Sequence, residues 1–137
     1  MKIYFAGAIR GGRQNQDQYY QIIKHLENYG QVLTEHVGDI NVKKKEISNT
    51  DSFIYQRDIS WIKKSNVLIA DVTVPSLGVG YEISFAEKLK IPILCLFNTS
   101  SNLNLSAMIS GNNNIISKKY SNFVQVKEII DNFLKNC

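Results

Sequence analysis

The sequence predicts an α/β fold, a single domain over residues 1–137 built on a doubly wound parallel sheet of about five strands, with helices on both faces. Two observations point there. Strand-like segments alternate with segments of helical period, the pattern of βαβ units. The strand segments are near-continuous apolar runs, as expected where both faces of a parallel sheet are covered.

The elements follow in order. Lys2 to Ala6 is a β-branched and aromatic run and predicts the first strand. Gly7-Ala8-Ile9-Arg10-Gly11-Gly12-Arg13 breaks it. Tyr19, Ile22, Ile23 and Leu26 have the i, i+3, i+4, i+7 spacing of an amphipathic helix, with Gly30 as its C-terminal glycine. Gln31 to Glu35 predicts a second strand, and the polar, Lys-rich stretch Gly38 to Asp51 a loop. Tyr55, Ile59 and Ile62 predict a helix over about Ser52–Lys64. Val67 to Val72 is an apolar strand interrupted only by Asp71. Pro75 and Gly78 mark a turn before a helix from about Gly80 to Lys90. Ile91 to Phe97 is a buried strand, Leu103 to Ile109 a short helix and Asn112 to Asn114 a loop. Val126, Ile129, Ile130, Phe133 and Leu134 predict a closing helix. Right-handed crossovers make the sheet flavodoxin/Rossmann-like. Ligands of such sheets bind outside the carboxyl ends of the strands. There the loop after the first strand, the end of the Asp58 helix and the loop Thr73 to Glu82 are expected to meet.

Composition narrows the classes. The chain has 137 residues, 44% hydrophobic and 20% charged, as in ordinary globular domains. No apolar run approaches the roughly 18 residues of a membrane span. The N-terminus lacks the apolar stretch of a signal peptide, so a cytoplasmic protein is expected. Cys95 reads as a buried small residue and Cys137 as a terminal thiol, with no disulfide expected. The net charge is +4, but the lysines are scattered, without the basic stripe and interleaved aromatics of a nucleic-acid binder. Two of the three arginines, Arg10 and Arg13, instead share one glycine-rich segment, which suggests a small anion. His25 and His36 are not at metal spacing with any Cys, and no metal site is expected.

Three features could carry chemistry. Backbone N–H groups of a glycine loop opening a helix can hold an anion, and two arginines add bidentate reach for phosphate. The Gly7–Arg13 spacing is neither the dinucleotide fingerprint nor the Walker loop. The same residues also suit a tight strand-to-helix turn with solvent-facing arginines. Glu82 falls in the first turn of its predicted helix, where the dipole favours the ionised form of a nucleophile; it equally suits an ordinary helix start. Asp58 lies on or beside an apolar stripe, where desolvation would raise its pKa and suit a general acid; a rim residue turned to solvent is the other reading. Two carboxylates together suggest glycosidic-bond chemistry. Tyr4 ends near the same sheet edge, as a site residue or a core aromatic.

With the stretches YFAGAIRGGR (Tyr4 to Arg13), VLTEHV (Val32 to Val37), RDISWIKKSNVLIADVT around Asp58, PSLGVGYE (Pro75 to Glu82), ILCLF (Ile93 to Phe97) and LSAMISG (Leu105 to Gly111), the sequence resembles the 2'-deoxynucleoside 5'-phosphate N-hydrolases, within the nucleoside 2-deoxyribosyltransferase-like superfamily. The resemblance implies release of free base and 2-deoxyribose 5-phosphate from a deoxynucleoside 5'-monophosphate, without a cofactor. It implies that Glu82 attacks C1' and forms a deoxyribosyl-enzyme, that Asp58 assists departure of the base, and that the Tyr4 hydroxyl lies near nucleophile and sugar. Gly7, Ala8, Ile9, Arg10, Gly11, Gly12 and Arg13, with Ser76 and Gly78, match the phosphate and sugar pocket. Ser106, Ala107 and Met108 match a segment supplied by a second subunit, so a homodimer is implied. Ile22 and Asp39 match positions lining the pocket less directly. The alternatives are a nucleoside 2-deoxyribosyltransferase, against which the phosphate loop argues, and a ribonucleotide N-glycosidase of the hydroxymethyl-CMP type, whose members tend to carry Phe where this chain has Tyr4. A non-catalytic nucleotide-binding module is disfavoured by Tyr4, Asp58 and Glu82.

The family loop usually has Ser where this chain has Ala8. One neutral hydrogen bond to phosphate is thereby lost, worth about 1 kcal/mol. Ala8→Ser is expected to lower the Michaelis constant for a deoxynucleoside monophosphate by about fivefold; an unchanged constant contradicts this.

Overall fold

The computed structural model describes residues 1–9, 13–39 and 41–137, apart from the side chains of residues 13, 14, 43, 45 and 46. In chain order the elements are β1 (Lys2–Ala6), α1 (Arg13–Leu26), β2 (Gln31–Val32), a 3₁₀ turn (Glu35–Gly38), α2 (Val42–Ile47), α3 (Asp51–Lys64), β3 (Val67–Asp71), α4 (Leu77–Lys88), β4 (Ile93–Asn98), α5 (Ala107–Ser110), β5 (Ile116–Tyr120) and α6 (Phe123–Lys135). The five strands are all parallel, in the order β2-β1-β3-β4-β5. The chain leaves β1 for β2 on one side and returns to β3 on the other. Its topological switch point therefore lies at the carboxyl ends of β1 and β3.

Alternation along each strand feeds two cores. Ile3 and Phe5 face α1 and α6, packing with Ile22, Leu26, Val126 and Ile130. Tyr4 and Ala6 face α3, α4 and α5, packing with Ile62, Val79, Ile83 and Ile109. Both faces of β1 and β3 are thus covered, which is why their sequences read as unbroken apolar runs.

Several boundaries differ from the sequence reading. The second strand stops at Val32 rather than Glu35, because the Thr34 side chain takes over the pairing. Its hydroxyl accepts from the Phe5 N–H at 2.8 Å and donates to the Phe5 carbonyl at 2.7 Å. Gly30 does not cap the first helix, which ends at Leu26; a Cβ there would lie 2.1 Å from the Met1 carbonyl oxygen. The stretch read as a loop from Gly38 contains α2. The fifth strand falls at Ile116–Tyr120, where the sequence reading placed none.

Asp71 is the buried polar exception in β3. Tyr120 donates to one of its carboxylate oxygens at 2.6 Å and the Thr73 N–H to the other at 3.0 Å. Gln18 of α1 donates to the Tyr120 hydroxyl at 2.6 Å, so one network joins β3, β5 and α1. Burial raises the Asp71 carboxyl above its ordinary range while these hydrogen bonds oppose the shift. Cys95 is buried and its thiol is pushed up to about 12 by desolvation.

Thr34→Val preserves shape but leaves the buried Phe5 N–H and C=O unpaired. It should lower unfolding free energy by about 2–4 kcal/mol in a denaturant titration, with Thr34→Ser close to the parent.

Candidate active site

The chain emerges from β1 at the switch point as Gly7, Ala8 and Ile9. A Cβ on Gly7 would lie 2.9 Å from the Tyr19 ring, so the strand crosses α1 at a separation that suits glycine. Gly7 and Ala8 are buried and Ile9 half-buried. Arg10, Gly11 and Gly12 lie outside the described residues, as does the Arg13 side chain; the Arg13 backbone opens α1.

Tyr4 projects from β1 onto the α3–α4 face and donates a hydrogen bond to Glu82. Burial, and then the negative charges of Glu82 and Asp58, hold its hydroxyl far above the ordinary phenol range, so it remains a proton-bearing donor.

Glu82 sits on α4, which begins at Leu77, three residues before the predicted start. Ser76 makes the earlier start possible: as N-cap, its hydroxyl accepts from the Val79 N–H at 3.3 Å. Glu82 therefore lies in the second turn, beyond the strongest reach of the helix dipole. Desolvation prevails, and the carboxyl is pushed up to about 7. The Tyr4 hydrogen bond and the Arg57 charge oppose this rise, while the Asp58 charge adds to it. The sequence expectation of a dipole-ionised Glu82 is thus corrected.

Asp58 occupies α3 with its side chain 19% exposed. Its partner is the preceding residue, since Arg57 Nε donates to Asp58 Oδ1 at 2.8 Å. The Arg57 guanidinium lies 4.8 Å from the centre of the Trp61 ring and 5.8 Å from that of Phe53. Its Nη2 is 3.4 Å from His36 Nε2, and the His36 and Trp61 rings are 5.6 Å apart. Sequence reasoning singled out none of Arg57, His36 and Trp61 for the site. The signal available was the spacing of Arg57 and Trp61, four apart on one helix, which stacks a cation on an aromatic ring.

The other predicted positions are scattered around this centre. Ser76 caps α4. Gly78 is exposed, and a Cβ there would meet only the Ser76 hydroxyl, 3.8 Å away. Ser106 caps α5, accepting from the Met108 N–H at 3.3 Å, and Ser106, Ala107 and Met108 are all exposed. Asp39 is half-buried; its carboxylate accepts from the Asn41 N–H at 2.7 Å and its carbonyl from Gln16. Ile22 has no exposed surface and packs on the sheet face opposite Tyr4. It is a core residue rather than a pocket wall. Among the described residues no three His, Cys, Asp or Glu cluster as metal ligands.

A phenol, two carboxylates and a cation thus lie close enough to shift one another's proton affinity, a set able to attack an electrophilic carbon and to move a proton beside it. The pH consequences have a definite sign. A carboxyl raised from its ordinary range to about 7 binds protons more tightly in the folded than in the unfolded chain. Its contribution to stability is therefore lost as pH rises from about 4.5 to about 7. The loss is on the order of 3 kcal/mol, and Glu82→Gln should flatten that slope in thermal unfolding measured across pH. Tyr4→Phe removes a donor to the ionised form and should move the Glu82 transition to higher pH.

The chain matches the family model described as nucleoside 2-deoxyribosyltransferase over residues 3–132. It is 41% identical over 140 residues to a 5-hydroxymethyl-dUMP N-hydrolase of Tetraodon nigroviridis, covering 99% of each chain. It is 51% identical over 112 residues to a 5-hydroxymethyl-dUMP N-hydrolase of Danio rerio, covering 81% of this chain and 78% of the relative. The solved CMP N-glycosidase BcmB of Clostridium botulinum shares the fold, with a TM-score of 0.70 at 19% identity over 96% of this chain and 99% of that one. The chain belongs to the nucleoside 2-deoxyribosyltransferase family.

Proposed function

We propose that this chain hydrolyses the N-glycosidic bond of 2'-deoxynucleoside 5'-monophosphates, releasing free base and 2-deoxyribose 5-phosphate. The observation that carries the reading is the Tyr4–Glu82 hydrogen bond at the switch point, with Asp58 close enough to raise the pKa of both. The relatives named as 5-hydroxymethyl-dUMP N-hydrolases support the substrate class.

In this reading Glu82 attacks C1' as the carboxylate. The C1'–N bond breaks, its electron pair leaves with the base, and Asp58, acting as the acid, gives its proton to the base and becomes a carboxylate. Water then attacks C1' of the glycosyl ester, giving a proton to Asp58 and freeing Glu82, so configuration is retained. Tyr4 orients Glu82 and offers its hydroxyl to the ester oxygen. The glycine loop with Arg10 and Arg13 takes the 5'-phosphate, and the remote binding energy holds the sugar in place. Ser76 keeps its O–H proton for the phosphate, because its cap uses only the oxygen lone pair.

The active unit in this reading is a homodimer. Leu77 is 97% exposed and Met108 81% exposed, beside a depression of about 600 Å³ shared by the starts of α4 and α5. A second copy would bury this apolar rim and bring Ser106 of the partner subunit to the phosphate. A cytoplasmic setting accords with two free cysteines.

Base release from dGMP, dAMP, dCMP and dTMP, the matching ribonucleotides and the unphosphorylated deoxynucleosides tests the reaction. Release from deoxynucleoside monophosphates alone, at least a thousandfold slower in Glu82→Ala, is expected. Sugar transfer to an added second base would favour the transferase, and release from ribonucleotides the ribonucleotide glycosidase. Leu77→Lys with Met108→Lys should give a monomer by sedimentation with greatly reduced activity; an unchanged dimer or a fully active monomer contradicts the shared site.

A further inference from the structure

One buried polar group near the N-terminus of α1 has no role in the reaction above. We propose that Tyr19 is a further phosphate-binding residue, its hydroxyl donating a hydrogen bond to an oxygen of a phosphate held between the Gly7–Ile9 segment and the N-terminus of α1. The inference rests on the proposed reading for its ligand class, a phosphate monoester, and adds a side-chain donor to that site.

Position comes first. Side chains on a helix lean toward its N-terminus, so a tyrosine in the second turn of α1 reaches back to the start of the helix. Tyr19 is 3% exposed, and its ring is wedged between two neighbours. The Phe5 ring meets it edge to face, with centroids 5.6 Å apart. A Cβ on Gly7 would lie 2.9 Å from Cζ, the carbon that bears the hydroxyl. The hydroxyl end of Tyr19 therefore lies against the chain as it leaves β1, beside the Ala8 N–H.

Pairing supplies the second reason. Among the described residues, Tyr19 Oη is the buried side-chain polar atom that has no hydrogen-bond partner. The Ala8 N–H approaches the oxygen without reaching hydrogen-bond geometry, and the hydroxyl proton has no acceptor. The oxygens of nearby Asp71 accept instead from Tyr120 and from the Thr73 N–H. Burial, and then the Asp71 charge, hold the Tyr19 hydroxyl above the ordinary phenol range, so it stays a proton donor. A buried hydroxyl without a partner destabilises a fold, and phenylalanine would fill the same space without that cost. A phosphate oxygen offsets it, because hydrogen bonds to a charged acceptor are the stronger kind. The surroundings also suit an anion. The first turn of α1 carries no acidic side chain, and the N–H groups and dipole of a helix start favour negative charge.

The test is Tyr19→Phe, which keeps the ring against Gly7 and removes the hydroxyl alone. Binding of 2-deoxyribose 5-phosphate and of inorganic phosphate is measured by titration calorimetry, and stability by thermal unfolding with neither added. The variant should bind both compounds about tenfold more weakly, as expected for a hydrogen bond to a charged group. It should unfold at the parent's temperature or above, because no bond within the fold is removed. Unchanged affinity for either compound overturns the proposal. So does a lower unfolding temperature, which would mean that the hydroxyl is paired inside the protein. A parent that binds 2-deoxyribose 5-phosphate yet releases no base from any deoxynucleotide removes the glycosidase reading and leaves this proposal standing. A parent that binds neither compound removes the anion site and the proposal with it.

Discussion

A carboxyl group enclosed by sheet and helices loses its hydration, and the protein must either neutralise it or surround it with donors. Glu82 is in that position at the topological switch point. Desolvation is the largest influence on it, and the Tyr4 hydroxyl opposes that influence only in part. The rest of the site depends on this balance. A carboxyl poised near neutrality can act as a nucleophile once ionised, yet is desolvated enough to react. The fold holds it there by packing α4 on the sheet face that carries Tyr4 and by starting α4 at the Ser76 cap.

The scaffold around this balance is fixed by groups that never approach a substrate. Thr34 extends a two-residue edge strand with its side chain, which frees the following chain to turn toward His36. Asp71, Tyr120, Thr73 and Gln18 bind the strand ends to α1, the helix that supports the glycine loop after β1. Hydrogen bonds offset part of the burden of burying a carboxyl at both places, at Asp71 through Tyr120 and Thr73 and at Glu82 through Tyr4.

How much of this was legible in the sequence follows from where apolar pattern and chemistry coincide. The strands at Lys2, Val67 and Ile93 were readable because both faces are buried, and the α1 and α6 stripes because each packs one face. The fifth strand was not, because it is an edge. Its ISKKY sequence exposes two lysines, a composition that discourages pairing with another chain and erases the apolar signal. The lysines of α2 hid that helix in the same way. Tyr4, Asp58 and Glu82 were legible as chemistry-bearing types and converge in the fold, whereas the earlier start of α4 depends on a cap that competes with a Pro-Gly turn reading. Ile22 reads equally well as core or pocket by spacing; only the sheet's sidedness decides it. Arg57 was overlooked because a charge next to Asp58 on a helix suggests two diverging side chains, and the Trp61 ring that folds it back lies a turn away.

The central claim is that Glu82 becomes covalently bonded to the sugar. Rapid acid quench of the enzyme with a deoxynucleoside monophosphate, followed by peptide mass analysis, tests it most directly. The account predicts that one deoxyribosyl 5-phosphate group is carried by the peptide containing Glu82, and that Glu82→Ala carries none. Base release at full rate with no adduct at any quench time, and inverted configuration in the sugar product, would contradict it.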